Sequence, residues 1–272
     1  MKPPIQSLHN LTIKRVIKLR DARTRRELQR FLIDGQREIE RAVAAGFQID
    51  CIYLPDNRSG DAEEERALLG SGLPHELLQP VSAAVMRKLA YGDRDSDMVA
   101  VAHYPPLELS RIQLSSPALV LVLDGIEKPG NLGACMRTAA AAGAQAVVLT
   151  NPVCDVFNPN AIRASRGTLF CLPIAVASPP EVISWCVNQQ IQIFTARVDG
   201  NSTHWEANFA GSAAVVFGSE SHGLDEAWPT PPCNSFRIPM SHTTDSLNVS
   251  ISAALTLYEA VRQRQSHTIP AV

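Results

Sequence analysis

Six consecutive apolar residues, Ala118-Leu-Val-Leu-Val-Leu123, constrain the fold of this 272-residue chain more than any other feature. A strand with one face in water alternates apolar and polar side chains. An unbroken apolar run of strand length has both faces covered, as in a parallel sheet between two helix layers. The run is far too short for a bilayer, which takes roughly 20 residues. Downstream, Asn131 to Ala142 reads as an alanine-rich helix. Ala146–Leu149, Leu172–Val176, Ile191–Phe194, Ala213–Phe217 and Phe236–Ile238 read as further strands between helical or loop segments. This alternation predicts an α/β fold with a mostly parallel sheet. A last helix over 246–262 carries Leu247, Ile251, Ala254, Leu255 and Tyr258 on one stripe, and Val249, Ala253, Leu257 and Ala260 on another. One stripe can cover the sheet. The other calls for a partner, and a second copy of the chain is the natural one.

Charge divides the chain unevenly. Residues 1–110 hold 16 Lys/Arg and 16 Asp/Glu, whereas 111–272 hold 9 and 11, so the second part is the drier. The proline-rich stretch from His103 to Pro117 reads as a linker. The expected organisation is a first domain over 1–106, a linker over 107–116 and a second domain over 117–272. In the first domain, strands are expected at Phe31–Gly35, Cys51–Leu54 and Met98–Ala102, with helices at Gln36–Gly46 and Asp61–Leu69, giving a small α/β/α unit. Ahead of these, Lys14, Arg15, Lys18, Arg20, Arg23, Arg25, Arg26 and Arg30 stand against only Asp21 and Glu27. The net charge of −2 excludes a globally basic nucleic-acid binder. A local density this steep is still what a phosphate-binding surface needs.

The six cysteines include no C-x-x-C pair, and the histidines show no ligand spacing, which argues against a structural zinc site. Buried, reduced thiols of a cytosolic protein are expected instead. The N-terminal segment has no hydrophobic signal-peptide core.

Several motifs fail on the residues that do chemistry. Gly125-Ile-Glu-Lys-Pro-Gly130 is followed by Asn131-Leu132, where a P-loop needs Lys then Ser/Thr. Gly130-x-x-Gly133 is not a dinucleotide fingerprint. Ser221-His222 lies in no G-x-S-x-G, and adjacent side chains rarely face each other as nucleophile and base. Three segments remain. Asn131-Leu-Gly-Ala-Cys-Met-Arg137 places one arginine in an apolar helix, where a lone charge needs a partner. Val215-Val-Phe-Gly-Ser-Glu-Ser-His-Gly-Leu224 ends a buried strand in a glycine-bounded turn carrying Glu220. Ile238-Pro-Met-Ser-His-Thr-Thr-Asp-Ser-Leu-Asn-Val-Ser250 precedes the last helix; capping accounts for Asp245 or Ser246, but not for Asn248 inside it. All three lie at or just beyond the carboxyl ends of expected strands, where open α/β sheets bind ligands.

N-x-G-x-x-x-R, G-S-E-x-x-G-L and I-P-M…S-L-N-V-S, in this order, resemble the signature motifs of the SpoU (TrmH-type) RNA ribose 2′-O-methyltransferases of the SPOUT superfamily, over roughly residues 117–264. Phe31-Leu-Ile-Asp-Gly-Gln-Arg-Glu-Ile-Glu40 resembles the ribosomal-protein-like RNA-binding domain that many members carry first. The layout is similar to the thiostrepton-resistance type, which modifies large-subunit ribosomal RNA. The resemblance implies a C-terminal α/β domain with a deep trefoil knot, a homodimer with the active site at its interface, and S-adenosylmethionine as cofactor with no metal. It places Thr195, Gly218, Ile238, Met240 and Leu247 at the cofactor, and Asn131, Arg137, Glu220, Ser246 and Asn248 at the polar active site. Candidate RNA contacts are Lys14, Arg15, Lys18, Arg23 and Arg26, together with Arg163 and Arg166 of Asn160–Gly167.

The implied reaction moves a sulfonium methyl to a ribose 2′-hydroxyl, a poor nucleophile that needs positioning and proton removal. Arg137 is either a base depressed by its site or a clamp on the target phosphate. Two departures from the family pattern stand out. Tyr91-Gly-Asp-Arg-Asp-Ser-Asp-Met98 replaces a shorter hydrophobic-Pro-Gln-Gly pattern, and Ser241-His242 replaces a glycine. Ribosomal RNA is the favoured substrate. Transfer RNA, or a non-catalytic RNA-binding assembly role on the same fold, are the alternatives.

Overall fold

A computed structural model describes residues 2–56, 74–90, 98–241 and 245–266. The helix expected at Asp61–Leu69, most of the Tyr91–Met98 departure and His242 lie outside these. The chain divides into two units: Met1–Pro105 with Asp155–Cys171, and Pro106–Cys154 with Leu172–Val272.

The first unit opens with α1 (Leu11–Lys18) and α2 (Ala22–Leu28). Asn10 caps α1 by accepting from the N–H groups of Thr12 and Ile13, and Asp21 caps α2 by accepting from that of Thr24. Then come β1 (Arg30–Asp34), α3 (Gln36–Ala44), β2 (Ile49–Pro55), β3 (Leu78–Val81), α4 (Ala83–Leu89) and β4 (Val99–His103). The sheet order is β1-β4-β2-β3, with β4 antiparallel to both neighbours and β2 parallel to β3. Ile13 and Val16 of α1 and Val85 and Leu89 of α4 pack with Leu32, Tyr53, Val99 and Val101 of the strands.

A boundary near residue 106 does not capture this unit, because 155–171 packs into it. The reason is aromatic. Phe157 stacks on Phe31 of β1 with ring centroids 4.3 Å apart, and Tyr104 and Phe170 pack around the pair. Gly167, at φ +75°, passes so close to α3 that a Cβ there would lie 3.1 Å from Cα of Glu38.

The cations of the basic arm take different positions. Lys14, Arg15, Lys18, Arg23 and Arg26 are exposed, although Arg23 pairs with Glu27 at 2.7 Å. Arg25 is instead fully buried. Its Nε donates to Asp155 at 2.6 Å and its terminal nitrogen donates to the carbonyls of Leu19 and Arg20 at 3.0 and 2.8 Å. The Tyr104 hydroxyl donates to the same carboxylate at 2.7 Å, and burial beside that carboxylate pushes the phenol well above its ordinary pKa. Arg20 donates to the carbonyl of Lys88 at 2.8 Å, and Arg30 pairs with Asp50.

The second unit contains β5 (Leu119–Asp124), α5 (Pro129–Ala141), β6 (Ala146–Thr150), β7 (Ile174–Val176), α6 (Pro179–Asn188), β8 (Gln192–Ala196), β9 (Ser202–Thr203), β10 (Ala213–Phe217), β11 (Cys233–Arg237) and α7 (Val249–Ser266). Its sheet runs β7-β6-β5-β10-β8-β11-β9, and every pairing is parallel. All of β5 and β10 is buried, as unbroken apolar runs require. The last helix starts at Val249 rather than 246, because Asn248 is its cap. The Asn248 Oδ1 accepts from the Ser250 N–H at 2.9 Å and from its hydroxyl at 2.7 Å. Its polarity inside an apolar segment is thereby explained. Val249, Ala253, Leu257 and Ala260 are buried, whereas Ile251, Leu255 and Tyr258 are exposed, so the two stripes part as their spacing predicts. All six cysteines are free; Cys171 is exposed, unlike the buried thiols expected.

Removing one partner of a buried ion pair leaves the other charge uncompensated, at a cost of about 3–5 kcal/mol. Asp155→Ala is therefore expected to destabilise the first unit by about 3 kcal/mol, whereas Lys14→Ala on the surface changes stability by less than about 0.5 kcal/mol. Urea denaturation of the two variants checks this.

Candidate active site

Because the strands of the second unit run the same way, their carboxyl ends share one edge. The segments after β8, β10 and β11 and the start of α7 enclose a cavity of about 490 Å³ there. Its walls include Phe217, Ile238, Met240, Leu247 and Val249, with polar groups from Ser219, Glu220, Ser246, Asn248 and Ser252. Gly218 closes the turn after β10. A Cβ at that position would lie 2.2 Å from the carbonyl carbon and oxygen of Gly223, so no other residue fits without moving backbone.

Asn131 stands in the first turn of α5, which packs on α7. Its Oδ1 accepts from Asn248 Nδ2 at 3.2 Å, which joins the first and third sequence segments. Its own Nδ2 is buried without an acceptor among the described residues. A buried donor left unpaired costs about 1–3 kcal/mol, and such groups concentrate where a ligand supplies the missing partner. Glu220 pairs with Lys128 Nζ at 2.6 Å, and the bond holds the Lys128 ammonium above its ordinary pKa.

The expected site residues are distributed as follows. Gly218, Glu220, Ile238, Met240, Ser246, Leu247 and Asn248 line the cavity. Thr195 is buried in β8 and its hydroxyl donates to the carbonyl of Asn234 at 3.4 Å; its successors Ala196, Arg197 and Val198 are the ones that line the wall. Arg137 lies on α5, exposed, with no hydrogen bond or ion pair to a described residue. Arg163 and Arg166 are exposed too and belong to the first unit.

Sequence reasoning missed the groups that hold the site together. Asp124, 5% exposed at the end of β5, accepts from Thr150 Oγ1 at 2.7 Å, Asn151 Nδ2 at 2.9 Å and Trp228 Nε1 at 3.0 Å. Ser221 Oγ donates to Glu127 at 2.7 Å and lies 2.9 Å from His222 Nδ1. The carboxylate thus meets the serine and not the histidine, which leaves no nucleophile–base–acid relay. Only the carboxyl-terminal place of Asp124 on an otherwise apolar strand signalled any of this.

An apolar-walled cavity with one carboxylate, several hydroxyl and amide groups, and Arg197 and His222 in its lining suits an elongated molecule that carries a sulfonium, a carboxylate and an aromatic heterocycle. S-adenosylmethionine has that character, and the residues present fit it. Gly218, Ile238, Met240 and Leu247 would hold it among the wall residues. Bound there, it supplies an electrophilic methyl group.

Fold and site together are those of a methyl-transferring enzyme on a parallel α/β sheet. The profile of the SpoU rRNA Methylase family matches residues 118–258, and that of the MRM3-like substrate binding domain matches residues 10–100. The chain is 31% identical over 242 residues to the 23S rRNA (uridine(2479)-2′-O)-methyltransferase of Streptomyces viridochromogenes, covering 87% of this chain and 84% of that one. It is 28% identical over 241 residues to the 23S rRNA (adenosine(1067)-2′-O)-methyltransferase of Streptomyces azureus, covering 88% of each. Among solved structures, an RNA 2′-O ribose methyltransferase superposes with a TM-score of 0.80 at 39% identity, over 97% of this chain and 100% of that one. The SpoU methyltransferase AviRb of Streptomyces viridochromogenes in complex with AdoMet superposes with a TM-score of 0.85 at 27% identity, over 95% and 99%. The chain belongs to the SpoU rRNA methylase family and is an S-adenosylmethionine-dependent RNA 2′-O-methyltransferase. No described helix is long and apolar enough to cross a membrane.

Gly218→Ala is expected to weaken S-adenosylmethionine binding at least about tenfold, since the turn that carries Glu220 must open to admit the methyl. Isothermal calorimetry on variant and parent, with circular dichroism to confirm folding, reads this directly.

Proposed function

We propose that this enzyme methylates a ribose 2′-hydroxyl of large-subunit ribosomal RNA as a cytoplasmic homodimer. The observation that carries the methyl-transfer reading is the meeting of Asn131, Glu220 and Asn248 at one edge of the sheet, around a cavity suited to the cofactor. The ribosomal target is supported by the relatives named above, which span most of this chain. The first unit is the RNA-binding part, 1–105 with 155–171, and it presents Lys14, Arg15, Lys18, Arg23, Arg26, Arg163 and Arg166 to phosphates. Every one of these seven is exposed. Sheet order, with β10 between β5 and β8, supports the family's trefoil knot over 117–272.

The dimer rests on the uncovered stripe of α7 together with Leu247 just before it. Leu247, Ile251, Leu255 and Tyr258 are 37%, 52%, 43% and 51% exposed, an apolar row that water does not favour. Closing this stripe against a partner brings a second set of loops to the site.

The chain's own residues then divide the work. The Asn131–Asn248 pair and Ser246 fix groups at the mouth of the cavity, and Glu220 supplies a carboxylate beside them. Arg137 is the phosphate clamp of the two roles considered for it. A guanidinium in solvent is a standing cation with a planar donor fork, suited to a phosphate and unsuited to proton abstraction. A neighbouring carboxylate or water takes the hydroxyl proton.

Tritiated methyl transfer to total RNA from a strain deleted for the gene, with mapping of the labelled nucleotide, tests the function. Label on a ribose of 23S rRNA is expected. Label on transfer RNA or on a base, or no transfer with no S-adenosylmethionine binding, overturns the target, the chemistry or the enzyme reading respectively. Arg137→Lys keeps the charge and loses the fork, so turnover is expected to fall about 10²-fold with cofactor affinity unchanged. Leu255→Glu is expected to give a monomer by light scattering and to abolish transfer.

A further inference from the structure

Two loops leave the carboxyl ends of the adjacent strands β5 and β10, and three side-chain bonds join them in reversed order. Trp228 Nε1 donates to Asp124 at 3.0 Å, Ser221 Oγ donates to Glu127 at 2.7 Å, and Lys128 Nζ donates to Glu220 at 2.6 Å. The innermost bond is buried and its carboxylate is held from its other side by Thr150 and Asn151. The outermost lies at the cavity rim, with 69% of the Lys128 side chain exposed. Lys128 precedes α5 as its cap residue but makes no side-chain capping bond, so the helix does not need its ammonium. Glu220 lines the cavity.

We propose that Lys128 is a positioning residue for methyl transfer, holding the Glu220 carboxylate turned toward the cofactor cavity through the bond between them. The inference rests on the reading of Glu220 as an active-site carboxylate. Exposed ion pairs contribute little to stability, so the consequence of this one lies in where it keeps a charge. Among the described residues, Lys128 of the β5–α5 loop bonds Glu220, with Glu127 beside that lysine; the charge of Glu220 also reaches Cys135 of α5, and Arg197 and His222 line the same cavity. Cys135 is buried, and burial pushes its thiol up to about 12, so it stays neutral. Glu127 is engaged by Ser221. Lys128 is thus the cation bonded to the Glu220 carboxylate, and its loss leaves that carboxylate without this partner. An acid that loses a neighbouring cation protonates at higher pH.

The test is single-turnover methylation of 23S rRNA extracted from a strain deleted for the gene. It uses the full chain and its Lys128→Met, Lys128→Gln, Lys128→Arg and Glu220→Gln variants, from about pH 5 to about pH 9. Calorimetry with S-adenosylmethionine and filter binding of the RNA run alongside. Lys128→Met and Lys128→Gln are expected to move the acid limb up by about one pH unit and to lower the plateau about tenfold. RNA affinity is expected to stay within about twofold. Lys128→Arg restores most of the plateau, and Glu220→Gln removes the limb. A Glu220→Gln enzyme with the parent's limb and plateau refutes the role of Glu220. A limb lost in Glu220→Gln but unmoved in both neutral Lys128 variants refutes the role of Lys128 alone. So does a tenfold loss of RNA affinity with the limb in place, which makes Lys128 a phosphate contact.

Discussion

Parallel strand direction is the constraint on which the catalytic unit depends. In a parallel sheet each strand must be regained by a crossover, so all carboxyl ends fall on one edge and all the loops that can carry chemistry leave from it. Residues far apart in the chain become neighbours there. Asp124 and Trp228 are 104 positions apart, and Asn131 and Asn248 are 117 apart, yet each pair shares a hydrogen bond. Register makes this dependable: Leu123 pairs with Phe217, so the residues that follow β5 and β10 emerge at one height. The glycine-bounded turn and the Asn131 helix face each other because their strands do.

Among the described residues, Asp155 of the first unit and Asp124 of the second have buried side chains, and the two resolve the cost differently. A carboxylate removed from water needs a counter-charge or a full set of hydrogen bonds. Asp155 has the counter-charge, Arg25, and adds the Tyr104 hydroxyl. Asp124 accepts from three neutral donors, Thr150, Asn151 and Trp228. These donors come from β6, the residue after it, and the segment beyond β10, so satisfying one side chain fixes three strand ends relative to one another. The set leaves each oxygen of that carboxylate with at least one donor.

The strands of the second unit were legible because burial on both faces writes itself as unbroken apolar runs, and β10 was read at its observed limits. Strand ends were less legible: β11 begins at Cys233 because ladder hydrogen bonds continue through Asn234 and Ser235, which no apolar pattern marks. Much of the cavity lining was legible from motifs, since Gly218, Glu220 and Asn248 are part of it. The cross-loop bonds of Asp124, Glu127 and Lys128 were not. Each joins residues roughly a hundred apart, and a charged residue after a strand looks the same whether solvated or paired. Arg25 is the counterpart in the first unit: in a run of eight cations nothing local separates the buried one from the exposed ones. Its partner, Asp155, lies 130 positions away.

The chain passes between its two units three times, after Pro105, after Cys154 and after Leu172's predecessor Cys171. The first unit is therefore not a contiguous stretch of gene. A fragment ending at Pro105 would keep Arg25 in its core without Asp155, and Phe31 without the ring of Phe157. Recombination that grafts the first 105 residues onto another catalytic domain delivers an incomplete module unless the recipient brings its own version of 155–171. The two parts of such a chain are thus bound to change together, since a piece of the first unit is inherited with the stretch that builds the second.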